Sequence, residues 1–220
     1  ETAHGGIGTQ SYSKAKGLSK SGHEIFVISH SIDGNRYEQM EGDIWVIRIP
    51  GMERDLPEMT VPVQWLTYSS AVAAEIHRLN KQVDLDIIDF PEYGAEGFVY
   101  LLNRAELNKI PVVMQLHGPL VMLAHTLNWP DMESDFYRLG TFMEAMCFRN
   151  ADKVYSSSQC SADWCLNYYH KRMDAIPVIH TGIDTVLFSP KPIALHADPT
   201  ILFVGRIAET KGVENLVEAA

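Results

Sequence analysis

Short apolar runs alternate with longer amphipathic segments along almost the whole chain. "EIFVIS" at 24–29, "IWVIRI" at 44–49, "DIIDF" ending at Phe90, "PVVMQL" at 111–116, "KVYSSS" from Lys153 and "IPVIH" ending at His180 read as strands. Between them, residues 9–20, 64–79, 95–107, 133–150 and 159–170 have the spacing of helices. The first predicted helix carries Tyr12, Ala15 and Leu18 on one side and stops at Gly22, while the fourth has an apolar side of Phe136, Leu139, Phe142, Met143, Met146 and Cys147. Strands that are nearly continuously apolar are buried on both faces. The pattern therefore predicts a mainly parallel sheet covered by helices on both sides, a doubly wound α/β domain.

A chain of 220 residues is long for one such domain and short for two. The stretch "LFSPKPIALHADPT" at 187–200 holds three prolines and no periodicity, so it reads as a linker. This divides the chain into a domain over 1–186, a linker over 187–199 and, over 200–220, the strand "ILFV" at 201–204 with the start of a helix. Ligand loops of parallel sheets follow strands, yet only Glu1 to Ala3 precede "HGGIG". The reading expects a missing first strand and a second domain cut short from a longer native chain.

The formal charge of −10 opposes nonspecific binding to nucleic acid or an anionic membrane. No run reaches the length of a membrane span and no leader opens the chain, so a soluble, cytoplasmic protein is expected. Cys147, Cys160 and Cys165 lack a second pair at metal-ligand spacing and are expected to be reduced thiols in the core.

Several stretches could carry chemistry. His4-Gly5-Gly6-Ile7-Gly8-Thr9 precedes a helix start, where free N–H groups favour an anion or a sugar hydroxyl, although a tight turn explains it as well. The spacing is not that of the dinucleotide fingerprint. His117-Gly118-Pro119 follows a predicted strand, where such domains present functional groups, and could equally serve as a hydrogen-bonded strand end. Asp89 and Glu92, with Glu96 nearby, could act as acid and base, bind a polyol or cap a helix. Arg206 and Lys211 flank a loop before a helix, suited to a diphosphate or simply to solvent. Trp65, Tyr68, Tyr93 and Trp129 could stack on a sugar or fill the core.

Taken in order, "GGIGT", "LHGP", "HTGIDTVLFSP" and "ILFVGRIAETKG" resemble the landmarks of retaining GT-B glycosyltransferases, the family-four group that uses nucleotide-sugar donors. The resemblance implies two Rossmann-like domains facing a cleft, acceptor on the N-terminal side and donor on the C-terminal side, without a required metal. It implies that Gly5 and Gly6 line the cleft near acceptor and donor phosphate, and that His117 approaches the donor sugar. Gly182 and Asp184 fall in an "NGVD"-like turn that here carries Thr181, and Arg206 and Lys211 match the pair that holds the donor diphosphate. The family's E-x7-E motif would lie beyond Ala220. The activity implied is transfer of a sugar to a glycan, lipid-linked or other hydroxyl acceptor with retained configuration, in polysaccharide biosynthesis and with possible peripheral membrane association. A nucleotide-sugar epimerase of the same architecture and a non-catalytic glycan-binding module remain as alternatives.

Overall fold

A computed structural model of the chain describes residues 6–51, 61–104, 110–170, 175–190, 200–207 and 211–219. The chain forms two units, 1–182 and 183–220. In the first, the α/β alternation read from the sequence takes a Rossmann-like form built on two three-stranded sheets rather than one continuous sheet.

Helix α1 (Gly6–Lys20) leads into strand β1 (Ile25–Ser31). It ends on Gly22, whose φ of 92° is the left-handed stop that the sequence predicts, with the Gly22 N–H donating to the Ser19 carbonyl at 2.9 Å. Strand β1 pairs in parallel with β3 (Ile44–Pro50), and β3 pairs antiparallel with β2 (Tyr37–Glu41), giving the order β1-β3-β2. The sequence reading missed β2 because "YEQME" is polar and joins the sheet along one edge only. Strand β3 is buried on both faces. Its Ile44 and Val46 join Ala15 in a small cluster beneath α1, whereas Ile47 and Ile49 enter the main core with Val72, Ala73, Ile76 and Leu79 of α2 (Val61–Asn80). Two helices therefore cover opposite faces of this sheet, and the run "IWVIRI", apolar except for Arg48, is the sequence trace of that arrangement.

The second sheet is fully parallel, in the order β4 (Ile88–Pro91), β5 (Val112–Leu116), β6 (Lys153–Ser156). The register sets Asp89 opposite Val113, Pro91 opposite Gln115, and Gln115 opposite Tyr155. Because strand side chains alternate, Ile88, Phe90, Val112, Met114, Leu116 and Val154 point into the main core, and Asp89, Gln115 and Tyr155 share the other face. The core face packs on helices that include α5 (Asp135–Asn150) and α6 (Gln159–Tyr169), each opened by a serine cap: Ser134 accepts from the Tyr137 N–H and Ser158 from the Ser161 N–H.

Four points differ from the sequence pattern. The helix expected over 95–107 is a single turn and a half, α3 (Phe98–Leu102), among the described residues. Gly94 and Ala95, at φ of 88° and 48°, make the turn before it, and residues 105–107 lie outside the described ones. A helix unread in the sequence, α4 (Leu120–Leu127), starts right after Pro119. The buried side of α5 is Gly140, Met143, Glu144, Cys147 and Phe148, leaving Phe142 at 58% and Leu139 at 47% exposure. "IPVIH" makes only one bridge, Val178 to Ser156, because β6 turns into the cap of α6 there.

In the second unit, residues 201–204 form no strand among the described residues, and Ile201, Leu202 and Val204 are more than 70% exposed. A strand needs a ladder partner, and none is present among those residues. The unit's helix is α7 (Val213–Ala219). No helix of the described residues is long and apolar enough to cross a membrane. Cys147 and Cys165 are buried free thiols, and Cys160 is exposed rather than in the core.

Candidate functional site

The carboxyl edge of the β4-β5-β6 sheet collects the polar side chains that its register turns away from the core. Lys14, from α1, places Nζ 2.8 Å from Asp89 Oδ1, 2.9 Å from Gln115 Oε1 and 3.1 Å from the Tyr155 hydroxyl. The Tyr155 hydroxyl in turn donates to Gln115 Oε1 at 2.8 Å and lies 3.3 Å from Asp89 Oδ2. Burial, and then the nearby Asp89 charge, push the Tyr155 phenol up, so it stays a neutral donor at physiological pH. Gln115 is buried and Lys14 and Asp89 are part-exposed, so the network runs from the sheet to the surface.

His117 follows β5 directly and stands beside this network. Burial holds its imidazole down to about 4; Lys14 adds to the effect and Asp89 opposes it. The ring is therefore neutral near pH 7 and can donate from one nitrogen and accept at the other.

The loop carrying His117 is fastened from below. Glu92, just past β4 and 1% exposed, accepts the His117 N–H at 2.6 Å and the Gly118 N–H with the same oxygen, Oε1. Glu144 of α5, 0% exposed, accepts the Leu120 N–H at 2.8 Å and the Tyr169 hydroxyl at 2.6 Å on Oε2. Burial pushes the Glu92 carboxyl up to about 7, against the pull of backbone N–H groups, those of Gly118 and His117 foremost. It raises Glu144 well above the usual carboxylate range, and the Glu92 charge adds to this.

Other predicted site residues have these positions. Gly5 lies outside the described residues, and Gly6 begins α1 with open space where a Cβ would stand. Gly182 ends the first unit, also with open space. Asp184, in the second unit, accepts the N–H groups of Val186 and Leu187 at 3.0 Å each in a local turn. Arg206 and Lys211, in the same unit, are both exposed. Glu96 has its carboxyl raised to about 7 by burial. Trp65 meets Tyr93 and Phe136 edge to face at 5.3 Å each, and Trp129 meets Phe136 at 5.7 Å, so these rings pack on one another. Tyr68 lies 5.9 Å from the His30 ring.

The sequence reading missed Lys14, Gln115, Tyr155, Glu144 and Tyr169. Two left a trace: Gln115 interrupts the buried run "VVMQL", and Glu144 interrupts the apolar stretch "FMEAMCF". A polar residue inside a buried element needs a partner and so marks a built interaction.

The sequence model of the family described as Glycosyltransferase Family 4 matches residues 4–187. No curated protein matches the chain.

Proposed function

We propose, for a chain that belongs to glycosyltransferase family 4, transfer of a sugar from a nucleoside-diphosphate sugar to a hydroxyl acceptor, with retained anomeric configuration. The observation that supports this most is His117: a neutral imidazole on a fastened loop at the carboxyl edge of a parallel sheet, beside the Lys14–Asp89–Gln115–Tyr155 network. This is where α/β domains bind ligands, and a neutral ring can orient a sugar hydroxyl without adding charge.

In this reading the bond from the anomeric carbon to the diphosphate breaks as the acceptor oxygen bonds that carbon, and the acceptor proton leaves with the diphosphate. His117 orients the donor sugar. Arg206 and Lys211 are assigned to the donor diphosphate, whose charge grows as it departs, and Gly5, Gly6, Gly182 and Asp184 to the surfaces around donor and acceptor. Transfer needs no metal on this reading. The acceptor class is a glycan or a lipid-linked saccharide, and the setting is polysaccharide biosynthesis on the cytoplasmic side of a membrane.

The test incubates the full-length protein with nucleoside-diphosphate sugars and saccharide acceptors in the presence of a chelator. The expected result is acceptor-linked sugar with the donor's anomeric configuration, read by proton NMR coupling constants. An inverted product overturns retention, a converted sugar formed without acceptor points to an epimerase, and glycan binding without nucleotide binding points to a binding module.

A further inference from the structure

The backbone donors of the His117–Leu120 loop all go to buried carboxyls. His117 and Gly118 donate to Glu92, Leu120 donates to Glu144, and Pro119 has no N–H to give. The Tyr169 hydroxyl also donates to Glu144 Oε2, at 2.6 Å. Two glutamates from distant parts of the chain, one just past β4 and one on α5, thus take the loop's backbone N–H groups.

Neither carboxyl is explained by an ion pair: no salt bridge reaches Glu92 or Glu144 among the described residues. Each also keeps one buried oxygen, Glu92 Oε2 and Glu144 Oε1, without a hydrogen-bond partner. Burying two carboxyls this way is costly, and a hydrophobic pair would fill the same space at less cost. What a hydrophobic pair could not do is accept three backbone N–H groups in fixed directions.

We propose that Glu92 and Glu144 are positioning residues that hold the loop, and with it the imidazole of His117, in the orientation the reaction requires. This rests on the sugar-transfer reading for its catalytic half. Its structural half is independent: the Glu92 carboxyl fastens the His117 and Gly118 amides. The other titratable groups facing the pair are Tyr93, beside Glu92, Cys147 on α5, and Cys165 and Tyr169 on α6. Burial pushes each of them up, so among these groups Glu92, at about 7, is the one that changes charge near neutrality.

Two measurements on the full-length protein test the proposal. Followed by proton–nitrogen NMR across about pH 5 to 9, the His117 and Gly118 amides should shift together along one curve, and Glu92→Gln should remove most of its amplitude. Amides that stay flat in the wild type, or that titrate equally in Glu92→Gln, overturn the tether. In the transfer assay, Glu92→Leu should lower kcat by roughly 100-fold with donor KM changed less than about threefold. Glu92→Gln, which keeps an acceptor oxygen, should recover to within about tenfold of wild type. Val154→Ala, a cavity on the core face of β6, controls for lost stability and should leave kcat within about threefold. An unchanged kcat in Glu92→Leu, or an equal loss in Val154→Ala, overturns the positioning role. If the wild type transfers no sugar, the sugar-transfer reading fails and the amide titration alone decides the tether.

Discussion

The Tyr169 hydroxyl donates to Glu144 Oε2 over 2.6 Å, and both residues are buried. The bond joins the end of α6 to the middle of α5 and so stiffens the start of α4, where Leu120 donates to the same oxygen. Tyr169→Phe removes the donor but keeps the ring that packs on Phe148 at 6.0 Å. It should destabilise the protein by about 1–3 kcal/mol, the usual cost of stranding a buried polar group, as a lower urea midpoint. An unchanged midpoint would show that Glu144 does not depend on Tyr169.

Raised carboxyls tie stability to pH with a definite sign. Glu92 ionises at about 7 in the folded protein against an ordinary 4.5, so the native state keeps a proton that the unfolded chain has lost in between. Its stabilising effect is complete below 4.5 and is lost as pH rises through about 7, by at most about 3 kcal/mol. His117, held down to about 4, acts oppositely and adds stability as pH rises from about 4 to 6.5. Comparing wild type with Glu92→Gln cancels that contribution. From about pH 5 to 8 the wild type should lose urea stability relative to the variant, and parallel profiles would refute the assignment.

Lys14 carries a prediction about His117. Removing its ammonium in Lys14→Met takes away a charge that disfavours the imidazolium and leaves Asp89 unbalanced beside it. The His117 ionisation should move up from about 4 without reaching the ordinary 6.5, because burial is the larger cause. An NMR titration of the ring protons reads this directly, and a downward move would contradict the geometry.

Two glycines separate packing from propensity. A Cβ on Gly140 would stand 2.6 Å from Leu120 Cδ2 and 3.3 Å from Trp65 Cζ3, so Gly140→Ala must push Leu120 away at a cost of about 1–3 kcal/mol. Gly17, inside α1, meets nothing within 4 Å, and Gly17→Ala should stabilise by about 0.5–1 kcal/mol. Thermal melts that moved in the same direction for both would count against this packing.

On the sugar-transfer reading, Arg206→Ala in the full-length enzyme should reduce kcat by about 100- to 1,000-fold with near-normal folding. A full rate in that variant would remove Arg206 from the mechanism.

The strands that were legible in the sequence are those with at least one buried face, because burial writes itself as a mostly apolar run. Strand β3 is the clearest case. Strand β2 was not legible, since Glu38, Gln39 and Met40 are exposed and the strand is defined by its partner rather than by its own composition. The same logic separates the loop residues. His117 was found from its place after a strand, but Lys14 reaches Gln115 across 101 residues of chain and Tyr155 across 141, and such separations leave no local pattern. The face of α5 was misread because Gly140 and Glu144 lie on its buried side while Phe142 and Leu139 face outward, against the order that hydrophobicity alone would assign.

The acidic character of β2 has a further consequence. Among the described residues it is the outer strand of the β1-β3-β2 sheet, and an outer strand is where a strand from another copy could otherwise continue the ladder. Glu38 and Glu41 sit on that strand in a chain of net charge −10. Glu38 is held between Arg36 and Arg78, so a second edge docking on this one would have to desolvate that ion-paired cluster, and the polar sequence that makes β2 hard to read from pattern also discourages sheet-to-sheet growth and aggregation.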